Sequence, residues 1–244
     1  MSAGRRPAGS RGLFVAGTDT GVGKTRVSVL LLQAFNDRGW RTAAMKPVAA
    51  GARRRGGVWH NDDVDQLRAA AAVRSPRALV NPYCFEPPIA PHIAAAEAGV
   101  PIRLAPIRRA YRDLARGADL VVVEGAGGLL VPLDHRRDIA DIARSLRLPV
   151  VLVVGLRLGC INHALLTVAA LSARGLQLAG WVANMIVPRM ARRRQNIDAL
   201  SARIPAPLLG VIPHARRPDP TMQSKRLDIE PLIRVISEGK DREK

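Results

Sequence analysis

Short, continuous apolar runs alternate with segments of helical period along most of the chain. Residues 13–16 make the first run. A glycine-rich stretch separates it from a helical pattern that runs from 24 to about 38, where Gly39 stops it. Residues 42–45 read as a second strand ended by Lys46-Pro47, and 49–57, rich in Gly and Arg, read as a mobile loop. Asp62 or Asp63 then opens a helix through Ala72, with its carboxylates placed where a helix N-terminus favours negative charge. Residues 120–123 and 150–154 are apolar at every position, as strands covered on both faces are. Helices over 139–146 and 164–174 flank them. Strands at 179–183 and 208–212, a basic helix near 192–202 and a last helix over 230–237 complete the series. Strands alternating with helices predict an α/β fold with a doubly wound, mostly parallel sheet of P-loop NTPase type. Ligands then bind outside the carboxyl ends of the strands.

At 244 residues with 48% hydrophobic side chains, the chain suits a single domain over 13–238 with one sizeable core. A basic, acid-poor start over 1–12 is expected to be disordered, and 239–244 to be a charged tail. The start lacks the apolar segment of a secretory leader. No apolar run approaches the roughly 18 to 20 residues of a membrane span. A cytoplasmic protein without a membrane partner is expected. Cys84 and Cys160 stand far apart with no second thiol at metal-binding spacing, which suits a reducing compartment.

The formal charge of +18 raises nucleic acid as a partner. Of the 38 basic residues, however, 33 are Arg and scattered, which reads as a solvated basic surface with no specific nucleic acid. The same skew singles out Lys24 and Lys46, the only lysines before Lys225. In a chain that uses Arg nearly everywhere, a retained Lys points to a place that needs a compact ammonium.

Lys24 closes the string GTDTGVGKT at 17–25, which follows a strand and opens a helix. Glycines there let backbone N–H groups wrap phosphates, and the helix N-terminus adds positive potential. Lys24 would hold the β- and γ-phosphates and the Thr25 hydroxyl would ligate Mg²⁺. The spacing departs by one residue from the usual phosphate loop, since Thr18 stands where the first glycine is expected. Mg²⁺ calls for one or two carboxylates as well. Glu124, at a strand end before Gly125-Ala126-Gly127-Gly128, is the first candidate, because a buried acid without a cation is costly. Asp63 is the second, although a helix cap is the more ordinary use of Asp62 or Asp63 alone. His60 reads as a solvated loop histidine.

Together with the phosphate loop, KPVA at 46–49, VEGAGG at 123–128, VVGLRLGCINH at 153–163 and GWVAN at 180–184 resemble the dethiobiotin synthetase family in order and spacing. The pieces at 81–83 and 91–92 fit as well, and the likeness spans residues 13–213. It implies ATP- and Mg²⁺-dependent closure of a ureido ring on 7,8-diaminononanoate. One amine captures CO2 as a carbamate, ATP phosphorylates it, and the second amine attacks the mixed anhydride. The resemblance implies that Gly21, Val22, Gly23, Lys24, Thr25 and Arg26 cradle ATP together with Gly125, Ala126 and Gly127. Thr25, Asp63 and Glu124 would hold Mg²⁺, and Asn184, Pro213, His214 and Ala215 would contact adenine. Lys46 would stabilise carbamate and phosphate, with Thr20 and Ala50 beside the substrate. Gly159, Cys160, Ile161 and Asn162 would bind its carboxylate at a helix start, across the interface of a homodimer.

Two departures bear on substrate affinity. Ala50 stands where the family usually has Ser or Thr, and Asn196 replaces a tyrosine near the substrate tail. Two other classes share the expected fold. A partition-type, DNA-associated ATPase would carry a lysine five positions before Lys24, where this chain has Asp19. An amidating synthetase of the cobalamin pathway would add a glutamine-hydrolysing domain, for which the length leaves no room.

Overall fold

Six of the apolar runs become one parallel sheet in the computed structural model, which describes residues 12–215 and 219–238. The basic start, Gly12 excepted, and the tail over 239–244 lie outside the described residues. In chain order the elements are β1 (Gly12–Gly17), α1 (Lys24–Asp37), β2 (Thr42–Met45), β3 (Val48–Ala49), β4 (Arg53–Arg55), β5 (Val58–His60) and α2 (Asp62–Ala70). Then come α3 (Arg77–Val80), β6 (Tyr83–Cys84), α4 (Pro91–Glu97), α5 (Leu104–Gly117), β7 (Leu120–Gly128), α6 (Ile139–Leu146) and β8 (Val150–Gly155). The last are α7 (Cys160–Ala173), β9 (Leu178–Asn184), α8 (Arg193–Ser201), β10 (Leu208–Ile212), α9 (Pro220–Ser224) and α10 (Glu230–Glu238).

The sheet runs β10-β9-β8-β1-β7-β2, and every neighbouring pair is parallel. Alternate residues of a strand face opposite ways. Leu13 and Val15 therefore pack with Leu30, Leu31 and Phe35 on one face, while Phe14 and Ala16 join Tyr111, Ile139 and Leu171 on the other. Two covered faces are why these strands are apolar throughout. The order has a consequence for the site. Strand β7 inserts between β1 and β2, with Phe14 and Met45 both paired to Val123. The residue after Val123 therefore lies between whatever leaves β1 and whatever leaves β2. That residue is Glu124, and its neighbours are the phosphate loop and Lys46.

Three local expectations need correcting. Part of the loop expected over 49–57 is a hairpin, β4 with β5, turned by Gly56 and Gly57 at φ 55° and 79°. Two successive positive φ values are what a tight two-residue hairpin turn requires. Three exposed arginines on β4 hid the alternation that marks a strand. Helix α7 starts at Cys160, four residues before the expected Ala164, and α2 ends at Ala70, not Ala72. Residues 77–117, given no element from the sequence, hold α3, β6, α4 and α5. The buried face of α5 (Ile107, Ala110, Tyr111, Leu114) follows helical spacing. No helix of the described residues is long and apolar enough to cross a membrane.

Candidate active site

The loop between β1 and α1 turns on Gly21 and Gly23, at φ 74° and 87°. At Gly23 a side chain is excluded twice, by that conformation and by Asn184, whose Nδ2 would lie 2.1 Å from an added Cβ. Asn184, at the end of β9, donates Nδ2 to the Val22 carbonyl at 2.8 Å and so pins the loop. Arg26, one turn into α1, donates to the Pro213 carbonyl at 2.6 Å, to Gln223 Oε1 at 2.9 Å and to Asn184 Oδ1 at 3.4 Å. The expected adenine-side residues Asn184 and Pro213 thus meet around Arg26, with His214 and Ala215 following half-buried. Gln223 belongs to this cluster and went unnoticed, as a single polar residue in the short helix α9 carries no pattern. Gly23→Ala should abolish nucleotide binding while leaving a folded protein. Calorimetric titration with ATP and a circular dichroism melt check both halves, and ATP affinity within twofold of wild type would contradict the packing.

Lys24 is buried, and its ammonium donates to the Asp19 carbonyl of its own loop at 3.0 Å. Lys46, at the end of β2, donates to Asp63 Oδ2 at 2.9 Å and Glu124 Oε1 at 2.5 Å. The Thr25 hydroxyl donates to the same Glu124 oxygen at 2.8 Å. Glu124 is fully buried, and its Oε2 has no partner among the described residues. Asp63 is free to join because it is not the helix cap. Asn61 caps α2 instead, accepting from Val64 N–H, and its amide donates to the Ala50 carbonyl at 3.0 Å. His60 is not a solvated loop histidine, since its Nδ1 sits 3.1 Å from Asp65, which Arg77 also holds.

Burial pushes the Lys24 ammonium down to about 8, and the like charge of Lys46 adds to the effect. Lys46 is opposed by burial too, but Glu124 and then Asp63 outweigh it and hold its ammonium above the ordinary value. Burial would raise the Asp63 carboxyl, and Lys46 reverses that, keeping it below the usual range. Two ammoniums and two carboxylates therefore share one locus with no net charge.

This locus lines a cleft of about 670 Å³. Thr20, Gly21, Gly23, Lys24, Thr25, Lys46, Ala50, Asp63, Glu124, Ala126 and Gly127 all face it. So do Pro88, Ile89 and Ala90, which carried no sequence signal for the site. Gly125 does not, being packed against Phe14 and Ile139. Gly159, Cys160, Ile161 and Asn162 are not brought to the cleft. They form the start of α7, with Gly159 at φ 91° and Cys160 buried. Just before them, Arg157 pairs with Asp19 of the phosphate loop at 2.5 Å. Asn196 is half-buried and bonds within its own helix start, Nδ2 donating to the Arg192 carbonyl at 2.9 Å.

The donors suit a hard dication. Thr25, Asp63 and Glu124 offer only oxygens, and Glu124 Oε2 is a buried acceptor lacking a donor, which a cation would satisfy. Among the described residues no cluster of three His, Cys, Asp or Glu forms, so any metal here keeps water ligands or shares its bonds with phosphate, as Mg²⁺ does.

A family profile described as an AAA domain matches residues 11–221. The chain is 55% identical over 217 residues to the ATP-dependent dethiobiotin synthetase BioD of Aromatoleum aromaticum, covering 89% of this chain and 96% of the relative. It is 52% identical over 219 residues to the protein of the same name from Nitrosospira multiformis, covering 90% and 95%. Among solved structures, the Pyrococcus furiosus cell division ATPase MinD superposes with TM-score 0.56 at 18% identity, covering 93% of this chain and 100% of that one. The MinC:MinD cell division protein complex of Aquifex aeolicus gives 0.51 at 13%, covering 84% and 82%. At those identities the two structures speak for the fold alone.

Proposed function

We propose, on the premise that this chain belongs to the family of ATP-dependent dethiobiotin synthetases, a division of labour among the residues of its cleft. The enzyme forms a C–N bond at the expense of ATP. Its substrate is 7,8-diaminononanoate with CO2. One amine attacks CO2 and loses a proton to give the carbamate. A carbamate oxygen takes the γ-phosphoryl group as ADP leaves. The neighbouring amine then attacks the carbonyl carbon, phosphate departs with that oxygen, the attacking nitrogen gives up a proton, and the ureido ring closes.

What carries the reading is the convergence of Lys24, Thr25, Lys46, Asp63 and Glu124 on one cleft, from three adjacent strand ends and the start of α2. Charge gathers on carbamate and phosphate oxygens, and ammoniums held in the cleft are at hand to offset it. Lys24 with the backbone of Gly21, Val22 and Gly23 holds the phosphates, and Lys46 acts on the carbamate and the γ-phosphoryl group. Thr25, Asp63 and Glu124 hold Mg²⁺, which when bound neutralises phosphate charge. Arg26, Asn184 and the stretch 213–215 form the adenine side. We place the enzyme in the cytoplasm, where Cys84 and Cys160 stay free thiols. A DNA-associated role is not favoured, since the position of the partition-type lysine holds Asp19, paired with Arg157. One phosphate released per dethiobiotin formed, and no phosphate release stimulated by DNA, is the expected stoichiometry; DNA-stimulated hydrolysis without ring closure would overturn the reading.

Ala50 faces the cleft beside Lys46 and has no hydroxyl to offer. One added hydrogen bond contributes about 0.5 to 1.5 kcal/mol, or roughly twofold to tenfold in affinity. Ala50→Ser should therefore lower the KM for the diamine by that factor and leave the KM for ATP unchanged. A raised diamine KM would mean the pocket is shaped around Ala50.

The start of α7 completes the substrate site from a second copy. Leu158 is 95% exposed beside it and Leu166 62%, apolar surface that a symmetric partner would cover. Sedimentation should show a dimer at micromolar concentration. A fully active monomer would rule the shared site out.

A further inference from the structure

Lys46 lines the cleft but is held by the groups assigned to the metal. Its ammonium is buried and bonded to Asp63 Oδ2 and Glu124 Oε1, two of the three groups assigned to the divalent cation. The third, the Thr25 hydroxyl, donates to the same Glu124 oxygen, so a cation on Glu124 would take Oε2 beside an ammonium already seated on Oε1. A dication bound at these carboxylates would also meet a like charge within bonding range of its ligands, in a partly desolvated site where repulsion is poorly screened. Lys24 is parked in the same manner, on the carbonyl of Asp19 in its own loop. Both ammoniums are thus engaged by the protein's own oxygens. Before ligands arrive, the two carboxylates balance the two ammoniums, and a buried carboxylate would otherwise stand unpaired.

We propose that in the nucleotide-free enzyme the Lys46 ammonium occupies the seat of the divalent cation, and that arrival of Mg²⁺ with nucleotide takes Asp63 and Glu124 from it and releases it towards phosphate and carbamate. The inference rests on the metal ligands assigned under the dethiobiotin synthetase reading. It adds that metal binding and delivery of Lys46 are one exchange. The carboxylates are never left without a positive partner, and Lys46 becomes available only when there is phosphate for it to act on. No bond to carbon or phosphorus changes in this step; one ammonium leaves two oxygen acceptors and gains others.

The chain has five lysines, so selective labelling makes the exchange directly observable. In protein grown with ¹⁵N-lysine, the Lys46 ammonium, held between two carboxylates, should give a slowly exchanging, down-field proton–nitrogen cross-peak. A Lys46→Gln spectrum assigns it. Adding Mg²⁺ with β,γ-methylene-ATP, without the diamine, should remove or shift that peak, while the same analogue with EDTA should leave it. Calorimetry on the same sample establishes that metal and analogue are bound. An unmoved peak at saturation overturns the exchange. An absence of metal-dependent binding overturns it too, along with the metal ligands. Dethiobiotin formation, assayed separately, tells either failure apart from failure of the enzymatic reading.

Discussion

Lys24→Ala loses ATP binding and turnover together. Its ammonium is the one cation on the phosphate loop itself, at the start of α1 where backbone N–H groups already face the phosphates. Removing one preorganised donor from charge that develops in a transition state costs about a hundredfold to a thousandfold in kcat. On the proposed assignment Lys24 also holds the ground-state phosphates, so ATP affinity should fall as well. Burial and the neighbouring Lys46 bring its ammonium down to about 8 in the free enzyme. Phosphates bind the charged form, so wild-type ATP affinity is full below that pH and declines as pH rises through it. In Lys24→Ala that decline should be absent. Calorimetric titration at pH 7 and pH 9.5, with kcat at each, decides the matter. A variant that turns over as wild type removes the nucleotide assignment.

Lys46→Gln separates two effects. Turnover should fall by several orders of magnitude with ATP affinity largely kept, since its charge is needed where carbamate and phosphoryl oxygens meet. The structure adds a stability cost. Glu124 is fully buried, and without Lys46 it keeps, among the described residues, the Thr25 hydroxyl and the unbonded charge of Lys24 nearby. Removing one partner of a buried pair costs about 3 to 5 kcal/mol. Asp63 is half-exposed and contributes little to that figure. Lys46→Gln with Glu124→Gln should recover part of the stability and none of the activity. Urea midpoints for the two singles and the double measure the coupling. Additive midpoints would show that Lys46 and Glu124 do not support each other.

How much of this was legible follows from what each residue's signal depends on. Leu13 to Ala16 and Val150 to Val154 announced buried parallel strands because both faces of each are covered. Glu124 stood out as an acid where only a partner makes burial tolerable. Its actual partners did not, because the insertion of β7 between β1 and β2 leaves no local trace. Asp63 was ambiguous for a related reason. Asn61, Asp62 and Asp63 can all cap a helix, and only the fold shows that Asn61 does so. The β4–β5 hairpin carried a Gly-Gly turn signal, but Arg53, Arg54 and Arg55 are exposed and erased the alternation. Gln223 reaches Arg26 from 197 positions away, and no pattern encodes that contact. The start of α7 shows the opposite limit. The family resemblance singles out Gly159 to Asn162, and a single chain does not bring them to the cleft.

The most direct test follows an oxygen. Incubated briefly with 7,8-diaminononanoate, ¹⁸O-bicarbonate, Mg²⁺ and ATP, the enzyme should release dethiobiotin, identified by mass. The phosphate formed with it should carry one ¹⁸O from the carbamate. Dethiobiotin accompanied by unlabelled phosphate would contradict the carbamate route, and ATP hydrolysis with no dethiobiotin would contradict the activity itself.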